Sequence, residues 1–347
     1  MTAIRRLLRG LTFASLCAAL VLEPAAAQEP SVTPPVTAPG RLVDVGGWGV
    51  HLNCTGERSA GQPIVVLEAG VGAFSVEWSL VQPGVTALGR VCSYDRAGSG
   101  WSDWGPHPRT MRQIVYELHT LLDAAGEQPP FVLVGASYGG WLARWYHLTY
   151  PQEVAGLVFV DAGASDPLRL TPDGREVPSS ALATGRPIPP VRTSEPLRPN
   201  QIPPAAMEQI RAGLRVASER ANEPPRDRLP AEARAMRTWG LGQVGHVVAA
   251  VNPFEVEELA ELRRRTAEHP HLFGDVPVTV ITRGRSDDTG PTAAAREMSH
   301  RADHAKLAAL SRRGRQVIAE GSGHHVQLED PTLVVRLIGD ILVAARQ

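Results

Sequence analysis

This chain of 347 residues is short of most features that would assign a class by composition. Lysine is almost missing: of 35 basic side chains only Lys306 is a lysine, a skew expected of a GC-rich bacterial coding sequence rather than of a function. An excess of charge is missing as well. The formal net charge is −1, so nothing in the composition calls for a polyanionic partner such as nucleic acid. Cysteine is scarce, three in all, and no histidine, cysteine or carboxylate spacing of a metal site is present, so neither a metal nor another cofactor is expected. No internal repeat occurs. The apolar run at 11–22 is too short to span a bilayer stably. What remains beyond it is long enough for one large α/β domain with its own core, which needs no metal or disulfide to hold it.

That apolar run has its own reading. Arg5, Arg6 and Arg9 precede it and Ala25-Ala26-Ala27 follow it, which makes residues 1–27 a secretory signal peptide. Arg5-Arg6 half-resembles a twin-arginine signal. Leu16 is too large to precede a lipidated Cys17, so no stable membrane anchor is expected. The chain is thus expected to be exported, periplasmic or secreted, from a bacterium, with its mature start at Gln28 and a formal charge of about −3. Residues 28–40, rich in proline, threonine and valine, read as a disordered leader, and 41–347 as the folded domain.

Within that domain one stretch organises the rest. Residues 131–134 form an apolar run of the kind buried on both faces of a parallel sheet, and from Trp141 onward apolar residues recur at helical spacing. Between them lies Gly135-Ala136-Ser137-Tyr138-Gly139, a G-x-S-x-G turn. Two glycines let strand and helix approach so closely that the serine is strained and its hydroxyl presented. Ser137 is therefore a candidate nucleophile rather than a mere cap.

The pattern repeats along the chain. A hairpin is expected at 41–53, strands at 63–67, 90–94, 154–160, 276–282 and 315–321, and helices at 76–88, 110–125 and 331–345. Strands alternating with helices predict a mostly parallel central sheet covered by helices on both faces. Residues 167–275 break the pattern. They are proline- and arginine-rich at first and helical at 204–221 and 231–269, and so read as an inserted helical lid. Reactive groups belong at the carboxyl ends of the strands. There lie the glycine loop around Val71, Ser137, the loop 282–288, and Gly321-Ser322-Gly323-His324-His325. A serine nucleophile needs a histidine base and an acid to orient it, which makes His324 and His325 the candidate bases.

LEAGVG, YDRAGSGWSD, LVGASYGG and SGHHVQLEDP resemble the matching blocks of the α/β-hydrolase superfamily, in its single-domain serine esterase or peptidase form with a lid. The resemblance implies the α/β-hydrolase fold, Ser137 as nucleophile, His324 as base, and an oxyanion hole from the amides of Val71 and Tyr138. Ala136 stands where the family often carries histidine. Asp287 is the expected acid because it follows the strand after the lid in the family's G-x-x-D form. Asp288 is adjacent to it, and Asp161, ending the strand after the nucleophile helix, is the alternative. The family's neighbouring second and fourth strands, in an exported chain, also imply a disulfide between Cys54 and Cys92.

The expected activity is hydrolysis of carboxylic esters of small molecules through an acyl-enzyme. The same constellation also serves a peptidase or amidase, and a non-catalytic binding member is the rival from another class. Trp141, Trp145 and Trp239 either line an acyl pocket or, for the first two, pack in the core.

Overall fold

Ten short strands, most of them apolar runs closed by a glycine, proline or polar turn, account for the β-structure. They are β1 (Arg41–Asp44), β2 (Gly49–Thr55), β3 (Ile64–Glu68), β4 (Val91–Tyr94), β5 (Phe131–Ala136), β6 (Val154–Val160), β7 (Leu168–Leu170), β8 (Glu176–Pro178), β9 (Val278–Arg283) and β10 (Gly314–Ala319). The computed structural model describes residues 37–346 apart from 164–165, 172, 287–289 and 291. The expected signal peptide and most of the leader lie outside them. Eight strands form one sheet in the order β1-β2-β4-β3-β5-β6-β9-β10, with β1–β2 and β2–β4 antiparallel and every other pair parallel.

Helices fill the connections: α1 (Gln82–Thr86), α2 (Met111–Ala125), α3 (Tyr138–Thr149), α4 (Pro204–Glu219), α5 (Ala231–Leu241), α6 (Val244–Ala249), α7 (Glu255–Glu268), α8 (Ala293–Ala308), α9 (Val326–Glu329) and α10 (Pro331–Ala344). The two faces of the sheet are both buried, because successive residues of a strand point to opposite sides. Val66, Leu133, Phe159 and Val280 pack against Ile114, Leu118 and Leu121 of α2 and Leu142 and Trp145 of α3. Their sequence neighbours Val65, Val132, Val134, Val158 and Ile281 pack on the other face against Val85 of α1 and Leu337, Ile338 and Ile341 of α10.

Three features depart from the sequence reading. The helix expected at 76–88 is two pieces, a 3₁₀ turn at Ser75–Trp78 and the five-residue α1. Pro83 explains the break, since a proline fits the first turn of a helix but not its interior. Helix α8 was not anticipated; only His304, Leu307 and Ala308 of it are buried, so it carries little apolar period. The segment between β6 and β9 is not helical throughout, for it opens with the antiparallel hairpin β7–β8. Cys54 and Cys92 sit directly opposite one another across β2–β4 and are joined by a disulfide.

Strand register then places the chemistry. Ala136 pairs with Val160 and Val160 with Ile281, so the next residues, Ser137 and Asp161, emerge side by side at the carboxyl edge. Their own backbones fix them there: Ser137 N–H donates to the Val160 carbonyl at 3.1 Å, and Asp161 N–H to that of Ile281 at 2.8 Å.

Candidate active site

Ser137 has φ 52° and ψ −116°, a left-handed conformation that a side chain other than glycine's seldom adopts. The close packing of β5 on α3 imposes it. A Cβ on Gly135 would lie 2.4 Å from the Gly139 carbonyl oxygen, and one on Gly139 would lie 2.4 Å from that of Glu68. Neither position admits a larger residue, and the serine between them is held off the strand with its side chain half-buried.

The hydroxyl of Ser137 donates to His324 Nε2 at 3.0 Å, and His324 Nδ1–H donates to Asp161 Oδ2 at 2.7 Å. Serine, aspartate and histidine follow in that order along the chain. Among the described residues the acid beside His324 is Asp161, the alternative; Asp287, the favoured one, and Asp288 lie outside them. The register puts Asp161 there: β6 is the immediate neighbour of β5, so its end lies beside Ser137. Asp161 too has a positive φ, 39°, and Ser137, Asp161 and Glu195 are the non-glycine residues so placed among the described ones.

Asp161 is fully buried and accepts four hydrogen bonds. Besides His324, His300 Nε2 donates to Oδ1 at 2.7 Å, the Arg283 backbone N–H to Oδ1 at 3.0 Å, and the Arg283 guanidinium to Oδ2 at 3.3 Å. Burial pushes its carboxyl up, but the hydrogen bonds from His300 and His324 hold it well below the usual carboxylate range. His300 was missed in the sequence because α8 was missed. The signal available was His300 and His304 four residues apart, one turn of helix.

The glycine loop after β3 abuts the serine: a Cβ on Gly70 would stand 3.4 Å from Ser137 Cβ. Its carbonyls are engaged from behind. Arg96 donates to those of Ala69 at 2.8 Å, Gly70, and Ala73 at 3.2 Å, and His246 Nε2 donates to that of Gly72 at 3.1 Å. Val71 and Tyr138 donate in none of the turn, loop and cap hydrogen bonds of the described residues. Arg226, from the inserted segment, donates to His325 Nε2 at 2.9 Å. Burial, followed by the charge of Arg226, pushes His325 down to about 2, and Arg226 already occupies its Nε2, so it is a poor base.

A cavity of about 10 Å³ lies beside the loop, lined by Val71, Gly72, Arg96, Tyr138 and Asn252 among others. Trp145 lines a different cavity, of about 340 Å³ between α2, α3 and α7, which Ser137 does not reach. Trp141 packs on Gly163 and Tyr138, and Trp239 on Trp101, so Trp141 and Trp145 are core contacts. Among the described residues, Asp161, His300 and His304 bring ligand-type atoms within 4.8 Å of one another. Both nitrogens of His304 are already engaged, Nδ1 by Thr282 Oγ1 at 2.8 Å and Nε2 by the Ala162 carbonyl at 2.9 Å.

Sheet order, elbow and the position of the serine at a carboxyl edge all agree with the family match: the chain belongs to the α/β hydrolase fold family, which it matches over residues 62–331. It is 35% identical over 105 residues to an AB hydrolase superfamily protein of Gibberella zeae, covering 29% of this chain and 33% of that one. Other curated relatives are likewise matched over only 18% to 42% of their length. Among solved structures it is similar to a thermophilic esterase from Thermogutta terrifontis, with TM-score 0.56 at 20% identity over 88% of this chain and 97% of that one. It is also similar to the enol-lactonase from Burkholderia xenovorans LB400, with TM-score 0.58 at 18% identity over 87% and 100%. At such identities the likeness concerns the fold.

Proposed function

We propose that this protein is a serine hydrolase that cleaves carboxylic esters of small molecules through an acyl-enzyme. The observation that carries the reading is the continuous hydrogen-bonded chain from Ser137 Oγ through His324 to buried, ionised Asp161. In this reading His324 Nε2 takes the hydroxyl proton as Ser137 Oγ attacks the carbonyl carbon, and Asp161 fixes the tautomer and stabilises the imidazolium. The amides of Val71 and Tyr138 stabilise the oxyanion, each donor being worth a few kcal/mol in the transition state. His324 returns the proton to the leaving alcohol; water, deprotonated by the same imidazole, then releases the acid and restores Ser137.

A serine at the elbow argues against chemistry that begins with an aspartate nucleophile there. Esters are preferred to amides because the similar solved structures include an esterase and an enol-lactonase. The peptidase or amidase reading uses the same residues. The inserted segment, about 167–275, acts in this account as a lid that selects the acyl group, since it supplies His246 and Asn252 to the walls around the loop and none of the three reacting residues. Export to the periplasm or beyond is supported by the basic and apolar N-terminus and by the Cys54–Cys92 disulfide, a bond that persists in oxidising compartments. Among the described residues no helix is long and apolar enough to cross a membrane.

The test is a panel of p-nitrophenyl esters of increasing chain length beside aminoacyl p-nitroanilides, run on the wild type and on Ser137→Ala. Turnover of short esters that disappears in the variant supports the proposal. Turnover confined to anilides would transfer it to the amidase reading, and equal rates in both proteins would refute it.

A further inference from the structure

Asp161 is shared between two imidazoles. His324 Nδ1 occupies Oδ2 and His300 Nε2 occupies Oδ1, each at 2.7 Å, so the two rings flank one buried carboxylate from opposite oxygens. The reaction proposed above uses only the first ring. The second is not a surface accident: His300 lies on α8, its side chain is 16% exposed, and its ring lies 4.1 Å from that of His304. His304 is itself fully buried and pinned at both nitrogens, to Thr282 and to the Ala162 carbonyl one residue past the acid. Burial pushes His304 down to about 4, so it stays neutral and serves as a fixed wall for His300.

We infer that His300 is a positioning residue for the acid: it holds the Asp161 carboxylate in the rotation that aims Oδ2 at His324, and keeps it ionised. The geometry requires something of this kind. Asp161 ends its strand with φ 39°, so its backbone is under strain and its side chain would otherwise be free to turn. A carboxylate that turned about its Cβ–Cγ bond would lose His324 Nδ1 and with it the tautomer that leaves Nε2 ready to accept the serine proton. Four donors divided between the two oxygens prevent that turn. Arg283 contributes through its backbone N–H and, at 3.3 Å, its guanidinium, but it also pairs with Glu297 on α8 at 3.0 Å, which divides its charge. His300 gives a shorter bond than Arg283, and its hydrogen bond, with that of His324, draws the Asp161 carboxyl down.

The inference rests on Ser137 being the nucleophile, and the experiment separates the two. Wild type, His300→Gln and His300→Phe are compared for kcat and KM on one p-nitrophenyl ester, for the rate of fluorophosphonate labelling, and for the downfield proton resonance of His324 Nδ1–H. Glutamine places an N–H donor near the position of Nε2, whereas phenylalanine fills the space and donates nothing. The expected result is a kcat about 10- to 100-fold lower in His300→Phe with KM nearly unchanged, the effect of one charge-assisted hydrogen bond. His300→Gln should recover most of the loss, and the downfield proton should persist in it but shift or vanish in His300→Phe. A folded His300→Phe enzyme with the wild-type kcat and the same downfield proton would overturn the inference while leaving the nucleophile standing. Loss of wild-type turnover on adding EDTA would overturn it too, by making His300 a metal ligand. Failure of the probe to label the wild type at all would instead remove the reading on which it rests.

Discussion

Replacing Asp161 by asparagine removes one charge and reverses one end of a side chain that four donors address. The amide has a single acceptor oxygen, so it can serve either His324 or His300, and its NH₂ then faces an N–H of the other ring. If the oxygen keeps His300, His324 is driven to the tautomer with its proton on Nε2, where it can no longer accept from Ser137. Loss of the orienting acid in such a triad lowers kcat by up to about 10⁴-fold, or ~5.4 kcal/mol of transition-state stabilisation, while KM changes little. The fold should also suffer, because the Arg283 guanidinium loses one of its two carboxylate partners and His300 loses its acceptor. The assay is kcat on a short p-nitrophenyl ester for Asp161→Asn, Asp287→Asn and Asp288→Asn, with circular dichroism and a urea melt for each. Asp161→Asn should be folded, destabilised and nearly inactive, and the other two active. A folded Asp161→Asn with near wild-type kcat beside an inactive Asp287→Asn would refute the assignment of the acid.

Breaking the Cys54–Cys92 bond frees a loop of 38 residues, so Cys54→Ala with Cys92→Ala should lose roughly 4 kcal/mol by the chain-entropy relation, read as a lower urea midpoint; alkylation of the unfolded, unreduced wild type should add no label, and uptake of two would contradict the bond. Burial holds His246 and His304 down at about 4 and His325 at about 2, against an ordinary 6.5. The unfolded chain therefore binds protons below 6.5 that the folded chain refuses, and stability should fall as pH drops from 6.5 toward 4, by up to about 1.4 kcal/mol per pH unit for each ring. Asp161 adds a loss of the same sign only below about pH 4, where its unfolded form takes up a proton and its folded form does not. Urea midpoints that stay level between pH 7 and 4.5 would show that these rings are not held neutral. Gly135→Ala should fail to give soluble protein or should lose several kcal/mol, since its Cβ would meet backbone that cannot retreat; a normal melting temperature would refute the close packing at the elbow.

How much of this was open to a reader of the sequence depends on where each residue gets its position. Ser137 was legible because its setting is local: an apolar strand, two glycines and a helical repeat lie within twenty residues of it. The sheet was legible for the same reason, each strand being a short run buried on both faces. Asp161 was ranked second because the choice between it and Asp287 is a question of which strand end lies beside His324, and that is set by the strand order, which no single segment carries. His300 reads in the sequence as one more surface or packed histidine. Its helix buries only its C-terminal turn, so hydrophobic periodicity is weak there, and its importance comes from a partner 139 residues away. The break at Pro83 was, by contrast, readable from the proline itself.

The central claim is that Ser137 is a nucleophile activated by His324. It is tested most directly by treating wild type, Ser137→Ala and His324→Ala with a fluorophosphonate and locating the adduct by peptide mass spectrometry. The account predicts a single adduct on the peptide containing Ser137, none in Ser137→Ala, and labelling slowed by orders of magnitude in His324→Ala. An adduct on another residue, or equal labelling of wild type and Ser137→Ala, would contradict it.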